Sequence, residues 1–426
     1  MPKRIGLSLS GGGYRATAFH VGTLKKLRDL EKIDRVDVLS TISGGSIAGA
    51  AYITQKDDFD NFYKETIEKL VSKNLIREAF LTFPGAKFTV FAIIFLVLLI
   101  YFIWCGQPLY VFFTVLVFLV LLYFFHFSIF PVSQSIEKSY ARYFTRKQNL
   151  GDLPEKPVLV LSSTNLQTAR PFVFSKHFMG DSALTFAQTP VRFLPAGFPL
   201  ARAVMASSCV PGAFSPVMVD PEFYEDPTLA EKNKPILADG GVYDNQGIHK
   251  VMQSGSFACD IIITSDAGNG LTREKSLRNS LQVAMRTMNV FMTRIKNVQM
   301  ITDVYQNHEP GNKEIAYLSL GWNVENCIPG FVRNLKSKTI PDSLIAWHQL
   351  LPQWVADPDK YSTEICEHLA NRIQYDRIDK PSPEELAAAR SVGTNLTPLK
   401  RTDILALIKQ AEALTEVQIK LYCPSL

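Results

Sequence analysis

The 426-residue chain has no paired cysteine spacing. Its six cysteines stand at 105, 209, 259, 327, 366 and 423 with no CxxC among them. Neither a disulfide framework nor a zinc site follows, and a reducing compartment is the simpler reading. Clustered positive charge is also missing. The 45 Lys+Arg nearly balance the 40 Asp+Glu, for a net charge of +5, so no nucleic-acid partner is expected. There is no internal repeat. No G-K-[ST] follows the glycines near the start, which excludes a P-loop. Met1–Ser10 runs directly into a strand pattern, so no secretory signal is expected. The sharpest absence is local: Asp, Glu, Lys and Arg do not occur between Phe88 and Phe130.

The chain does contain Val36-Asp-Val-Leu-Ser-Thr-Ile-Ser43-Gly-Gly-Ser-Ile-Ala-Gly49. Alternating apolar residues lead to glycines and then to small apolar residues at helical spacing, which reads as strand, tight turn and helix. A serine at such a turn is pushed out of the sheet beside the positive end of the helix, as in a nucleophile elbow. G-x-S-x-G is only partly met. Reading the site at Ser43 keeps the second glycine and puts Thr41 in place of the first; reading it at Ser46 keeps the first and loses the second. Ser43 ends the apolar run, whereas Ser46 falls inside the helix, so Ser43 is preferred. The plainer alternative is a serine that only caps a helix.

Ahead of the elbow, Ile5–Ser10 reads as a buried strand. Gly11-Gly12-Gly13-Tyr14-Arg15 follows, then a helix from about Ala16 to Leu30. Glycines between strand and helix let free N–H groups point at an anion. A dinucleotide site would need an acidic residue at the end of the second strand, where Ser43 stands instead. An oxyanion hole beside a nucleophile is the better fit.

Further strands are expected at Val158–Ser163, Arg170–Ser175, Pro235–Ala238, Asp260–Ser265 and, as an edge, Glu314–Leu320. Helices are expected at Phe59–Ser72, Leu75–Leu81, Leu200–Ser208, Ser276 to about Gln306, and Ile404–Ile419 behind a Thr402-Asp403 cap. None of the seven histidines stands in a loop after a strand, where a triad histidine belongs. A carboxylate acting directly on the serine is the alternative. Asp239 ends a strand at a Gly-Gly turn and is the candidate, with Asp244 and Asp266 as competitors.

The two apolar runs, Phe88–Cys105 and Leu109–Phe130, are each long enough to cross a bilayer as a helix. Gly106-Gln107-Pro108 breaks them. Lys73, Arg77 and Lys87 precede the pair, Lys138, Arg142, Arg146 and Lys147 follow it, and the turn carries no basic residue. The positive-inside rule then puts both ends in the cytoplasm. A re-entrant hairpin in one leaflet is the alternative.

Together these motifs resemble a patatin-like phospholipase. Ser10–Arg15 is similar to the family's oxyanion motif, Leu39–Gly45 to its nucleophile segment, Ala206–Pro216 to its small-residue loop, and Asp239-Gly-Gly241 to its D-G-[GA] motif. The resemblance covers roughly 5–77 and 157–266. It implies an α/β fold, a mixed sheet flanked by helices, and hydrolysis of lipid acyl esters by a Ser-Asp dyad without a metal or cofactor. Ser43 would be the nucleophile, Asp239 the base, the amides of Gly11, Gly12 and Gly13 the oxyanion donors, and Arg15 a phosphate contact. Ala16 replaces a usual glycine. Thr41 replaces the first elbow glycine and is expected to crowd the turn.

The resulting expectation is a catalytic domain at 1–87 and 148–275, a transmembrane hairpin at 88–130, and a helical region at 276–426 packed on the catalytic domain. The substrate would be a membrane phospholipid or lysophospholipid, with the lipid bilayer as partner and the catalytic domain on its cytoplasmic side. An acyltransferase or neutral lipase with the same dyad, or a silent lipid-binding membrane protein, are the competing readings. Nothing in the sequence specifies an oligomeric state.

Overall fold

The computed structural model describes residues 2–81, 83–270, 276–305 and 313–426. Among these, nine strands make one sheet: β1 (Ile5–Leu9), β2 (Val38–Thr41), β3 (Val158–Asn165), β4 (Arg170–Phe174), β5 (Met179–Gly180), β6 (Val217–Met218), β7 (Ile236–Ala238), β8 (Ile261–Asp266) and β9 (Glu314–Ser319). The order is β5-β4-β3-β2-β1-β8-β9, with β7 paired to the far end of β3 and to β6. From β3 to β9 the strands are parallel. β4, β5, β6 and β7 pair antiparallel.

Both faces of the parallel core are covered, so every residue of β1, β2, β8 and β9 is buried, the polar ones included. Leu7, Leu39, Leu161 and Ile263 enter the large core on one face. Val38, Val160, Ile262 and Ile315 enter a smaller core on the other, against Ile248 and Val251. The period of two has survived as a choice between two interiors.

The helices used below are α1 (Gly13–Asp29), α2 (Gly44–Ile53), α3 (Phe59–Ser72), α4 (Leu75–Leu81), α5 (Phe83–Trp104), α6 (Pro108–Ile129), α7 (Val132–Tyr143), α8 (Leu200–Ser208), α9 (Ser280–Gln299) and α10 (Arg401–Tyr422). α1 begins three residues earlier than periodicity predicts, because Gly12 and Gly13 have φ of 140° and 57° and turn the chain directly from strand into helix. α9 begins at Ser280, where the Asn279 side chain accepts the N–H of Gln282 at 2.9 Å. It runs into a π turn at Met300–Tyr305; Gln306, the expected helix end, lies outside the described residues, as does His308. Thr402 and Asp403 fall in the first turn of α10, not at its cap.

α10 crosses α1 closely: a Cβ at Gly22 would lie 2.5 Å from the carbonyl oxygen of Ile408. The final third thus supplies core to α1, and its β9 forms the sheet edge beside β8.

α5 and α6 are long and apolar enough to cross a membrane, and neither spanning window is buried in the protein. They touch each other through stacked rings, with Phe95 and Phe118 at 3.9 Å between centroids. Their outward side chains, including Val97, Ile100, Leu116 and Leu119, stand exposed. Hiding one such side chain from water is worth about 2 kcal/mol, so the pair carries a large unmet burial energy.

Candidate active site

Ser43 follows β2 with φ 51° and ψ −116°, a backbone geometry that costs a non-glycine residue roughly 1–3 kcal/mol. Hydrogen bonds offset that strain. The Ser43 N–H donates to the carbonyl oxygen of Ser207 at 3.2 Å and to its Oγ at 3.0 Å. Gly45 N–H donates to the Ser10 carbonyl at 3.0 Å. The two glycines after the serine are steric necessities. A Cβ at Gly44 would overlap the carbonyl oxygen of Gly13, and one at Gly45 would overlap that of Leu9.

Ser46 is fully buried inside α2. Its Oγ donates to Thr41 Oγ1 at 3.0 Å and lies 2.8 Å from Ser207 Oγ, so it braces the turn. Thr41 does not crowd the elbow. Its hydroxyl donates to the Val160 carbonyl at 3.3 Å, and its methyl occupies the space a side chain at Gly49 would take, 2.7 Å from that Cβ position. A glycine six residues beyond the serine makes room for the threonine that stands in place of the glycine before it.

β7 brings Asp239 to the same place. It pairs with β3 at Thr164 and Asn165, just beyond Leu161, where β2 stops. β7 therefore runs antiparallel toward the end of β2 and delivers Asp239 beside the elbow. Backbone bonds fix it: Asp239 N–H donates to Cys209 O at 2.9 Å, and Thr164 Oγ1 donates to Asp239 O at 2.9 Å. Carboxylate Oδ1 accepts Gly241 N–H at 2.7 Å. Burial raises the carboxyl to about 6, and the Gly241 N–H and Ser43 hydroxyl hold it down in part. Oδ2 is buried with no hydrogen-bond partner of ordinary geometry among the described residues. The Ser43 hydroxyl is thus within reach of the carboxylate without being aligned on Oδ2, and in catalytic pairs such alignment tightens with substrate.

The glycine loop divides its amides. Gly11 N–H is already committed to the Asn245 carbonyl at 2.9 Å. Gly12 and Gly13, at the N-terminus of α1, have amides with no hydrogen bond among the described residues. An oxyanion role thus fits Gly12 and Gly13, while Gly11 serves as an anchor. Gly11 also lies against the nucleophile, its Cβ position 3.2 Å from Ser43 Cβ.

Arg15 folds back over this loop, its terminal nitrogen 3.2 Å from the Cβ position of Gly12. Its Nε is buried without a hydrogen-bond partner among the described residues, and Nη1 makes a long bond of 3.4 Å to Val392 O. Burial lowers its pKa, opposed by the charge of Asp266.

The competing carboxylates are engaged elsewhere. Asp244 accepts the N–H groups of Gln246 and His249 at 3.0 and 2.9 Å. Asp266 accepts Ser319 Oγ at 2.9 Å, Tyr317 OH at 3.1 Å and Gly268 N–H at 2.9 Å, and pairs with Lys296. Burial pushes Asp266 up, but Lys296 and these donors prevail and hold it below the usual range. No described histidine bonds to Ser43 or Asp239. His20 is fully buried, its Nε2 2.9 Å from Ser10 O and its Nδ1 2.9 Å from Ser265 Oγ. Burial lowers it to about 4, so it is a neutral brace for the loop. No three His, Cys, Asp or Glu side chains gather at metal-binding distance among the described residues.

Sequence reasoning missed several supports. Ser207 holds the Ser43 N–H, Asn245 holds Gly11, and Asn395 accepts the Tyr14 N–H at 2.9 Å. Ser207 lies in the segment already matched to the small-residue loop, a signal that could have found it. Asn245 and Asn395 carried none.

No curated protein matches the chain. Among solved structures, human GIVD cytosolic phospholipase A2 is similar at 12% identity and TM-score 0.45, covering 98% of this chain and 61% of the human one. The same enzyme with methyl gamma-linolenyl fluorophosphonate and terbium chloride gives 13% and 0.43, covering 98% and 58%. VipD from Legionella pneumophila gives 12% and 0.29, covering 97% and 91%. The chain thus spans about three fifths of the human enzyme's length. Residues 7–252, more than half of the chain, match the family model for patatin-like phospholipases. The glycine loop, the elbow and Asp239 all lie inside that stretch, and the chain belongs to the patatin-like phospholipase family.

Proposed function

We propose that the protein is a membrane-bound lipid acyl hydrolase of phospholipase or lysophospholipase type, working through a Ser43–Asp239 dyad. The observation that carries the reading is the pairing of a strained serine with a buried carboxylate, one oxygen of which has no well-aligned hydrogen bond among the described residues. Asp239 Oδ2 takes the hydroxyl proton as Ser43 Oγ attacks the ester carbonyl. The amides of Gly12 and Gly13 receive the oxyanion. Collapse returns the proton to the leaving alcohol and leaves an acyl-Ser43. Water, deprotonated by the same carboxylate, then releases the fatty acid.

α5 and α6 form a transmembrane hairpin inserted into the catalytic domain of 1–87 and 148–275, with both ends cytoplasmic. Arg77, Lys87, Lys138, Arg142, Arg146 and Lys147 are exposed on the flanking segments and support that orientation. The region 276–426 packs on the catalytic domain. The bilayer holds the site where its substrate lies.

The test uses the full chain reconstituted into mixed phospholipid vesicles. Mass spectrometry should find free fatty acid with the matching lysophospholipid or glycerophosphodiester, and a fluorophosphonate probe should label Ser43. Absence of both products and label overturns the reading.

Arg15→Ala should lower turnover of phospholipids about tenfold more than turnover of short neutral esters, since only the former present a phosphate to the guanidinium. Parallel assays on both substrates check this. Equal losses would make Arg15 a brace of the loop.

A further inference from the structure

Two glycines from different loops, Gly11 before α1 and Gly241 after β7, face each other across the side chain of Asn245. A Cβ at Gly11 would lie 2.4 Å from Asn245 Oδ1 and 3.2 Å from Ser43 Cβ. A Cβ at Gly241 would lie 2.6 Å from the same Oδ1 and 2.9 Å from Asp239 Oδ1. One carboxamide oxygen is therefore flanked by the nucleophile on one side and by the base on the other. Both glycines lack the side chain that would displace it.

Main-chain bonds hold Asn245 in this place. Its own carbonyl oxygen accepts the Gly11 N–H at 2.9 Å. On either side of it, Asp244 N–H donates to Gly240 O at 3.0 Å and Ser40 Oγ donates to Gly247 O at 2.7 Å. The side chain, by contrast, is half-buried and makes no hydrogen bond among the described residues. A carboxamide carries two N–H donors and an acceptor oxygen. Polar groups beside a site this deep, where Ser43 and Asp239 are only 5% and 4% exposed, normally have a partner. Hydrolysis supplies one. The water that attacks acyl-Ser43 has two hydrogens, of which Asp239 removes only the first. An acceptor beside the base takes the second and turns a lone pair of the water oxygen toward the acyl carbon.

We propose that Asn245 positions the hydrolytic water. Its Oδ1 accepts the second water hydrogen while Asp239 Oδ2 takes the first. The water oxygen bonds to the acyl carbon, the bond from that carbon to Ser43 Oγ breaks on collapse, and the proton on Asp239 passes to Ser43 Oγ. The second hydrogen leaves on the fatty acid. An alcohol has carbon where water has its second hydrogen, so it gains nothing from this acceptor. Asn245 therefore sets the balance between hydrolysis and acyl transfer. The proposal rests on the Ser43–Asp239 reading and adds a residue to its second half.

The test uses the full chain in detergent micelles with p-nitrophenyl butyrate and added methanol, so that water and methanol compete for acyl-Ser43. Asn245→Ala should raise the ratio of methyl butyrate to butyric acid about tenfold, since only water loses its second acceptor. Mass spectrometry of acid-quenched protein should find more acyl-Ser43, because deacylation slows more than acylation. Asn245→Leu, which fills the same space without an acceptor, should shift the ratio in the same direction. Asn245→Asp, which keeps an acceptor, should bring it back to within about threefold of the parent. An unchanged product ratio, or equal slowing of acylation and deacylation, makes Asn245 a structural spacer and overturns the proposal. Failure of the unsubstituted chain to form any acyl-Ser43 instead overturns the hydrolase reading.

Discussion

Ser43→Ala should abolish hydrolysis and fluorophosphonate labelling, a loss of roughly 10⁴-fold or more, as expected when a nucleophile is removed. Ser46→Ala should keep a substantial part of both. The two serines are three residues apart with opposite surroundings. Ser43 stands in the strained turn after β2, near a carboxylate oxygen that has no hydrogen-bond partner of ordinary geometry among the described residues. The Ser46 hydroxyl is engaged by Thr41 and Ser207. Removing it should cost about 1–2 kcal/mol of stability through the lost buried hydrogen bonds. Probe labelling and thermal melting of both variants separate the two roles. A dead Ser46→Ala with an active Ser43→Ala would move the nucleophile one turn along.

Asp239→Asn should be nearly as damaging to turnover, yet no less stable than the parent. Burial raises the carboxyl from 3.8 to about 6, so the folded protein holds this proton more tightly than the unfolded chain does. The stability that the neutral acid provides is complete below about pH 4 and is lost as pH rises to about 6. At pH 7.5 the ionised carboxylate therefore costs up to roughly 3 kcal/mol, which the neutral amide avoids. The amide oxygen can still accept the Gly241 N–H. Melting temperature at pH 7.5 should be unchanged or higher, with activity gone. For the parent, kcat/KM on a soluble ester should fall as pH drops through about 6, because the base is then protonated. A folded His→Ala variant without activity would point to a different base.

Much of this architecture was legible because local signals and tertiary structure agree. Phe59–Ser72, Leu75–Leu81 and Leu200–Ser208 are helices over the spans their periodicity marks. The missed parts depend on partners distant in sequence. Gly11 looks like its two neighbours until Asn245, far along the chain, takes its amide. Thr41 looks crowded until Gly49 is seen beneath its methyl. The apolar pattern of α9 was legible, but periodicity says only that a face avoids water, not whether protein or lipid covers it.

The contact of Gly44 with Gly13, and of Gly45 with Leu9, is main chain against main chain, with no side chain between. The spacing between elbow and amide loop is therefore set by peptide geometry and has no rotamer to adjust. Substitutions that resize the acyl pocket or alter headgroup preference can accumulate around the site without detuning that spacing. Alanine at Gly44 or Gly45 would instead force the two segments apart. In a directed-evolution library those two codons should stay fixed while specificity drifts, which makes them an internal calibration mark for whether a variant still has its chemistry.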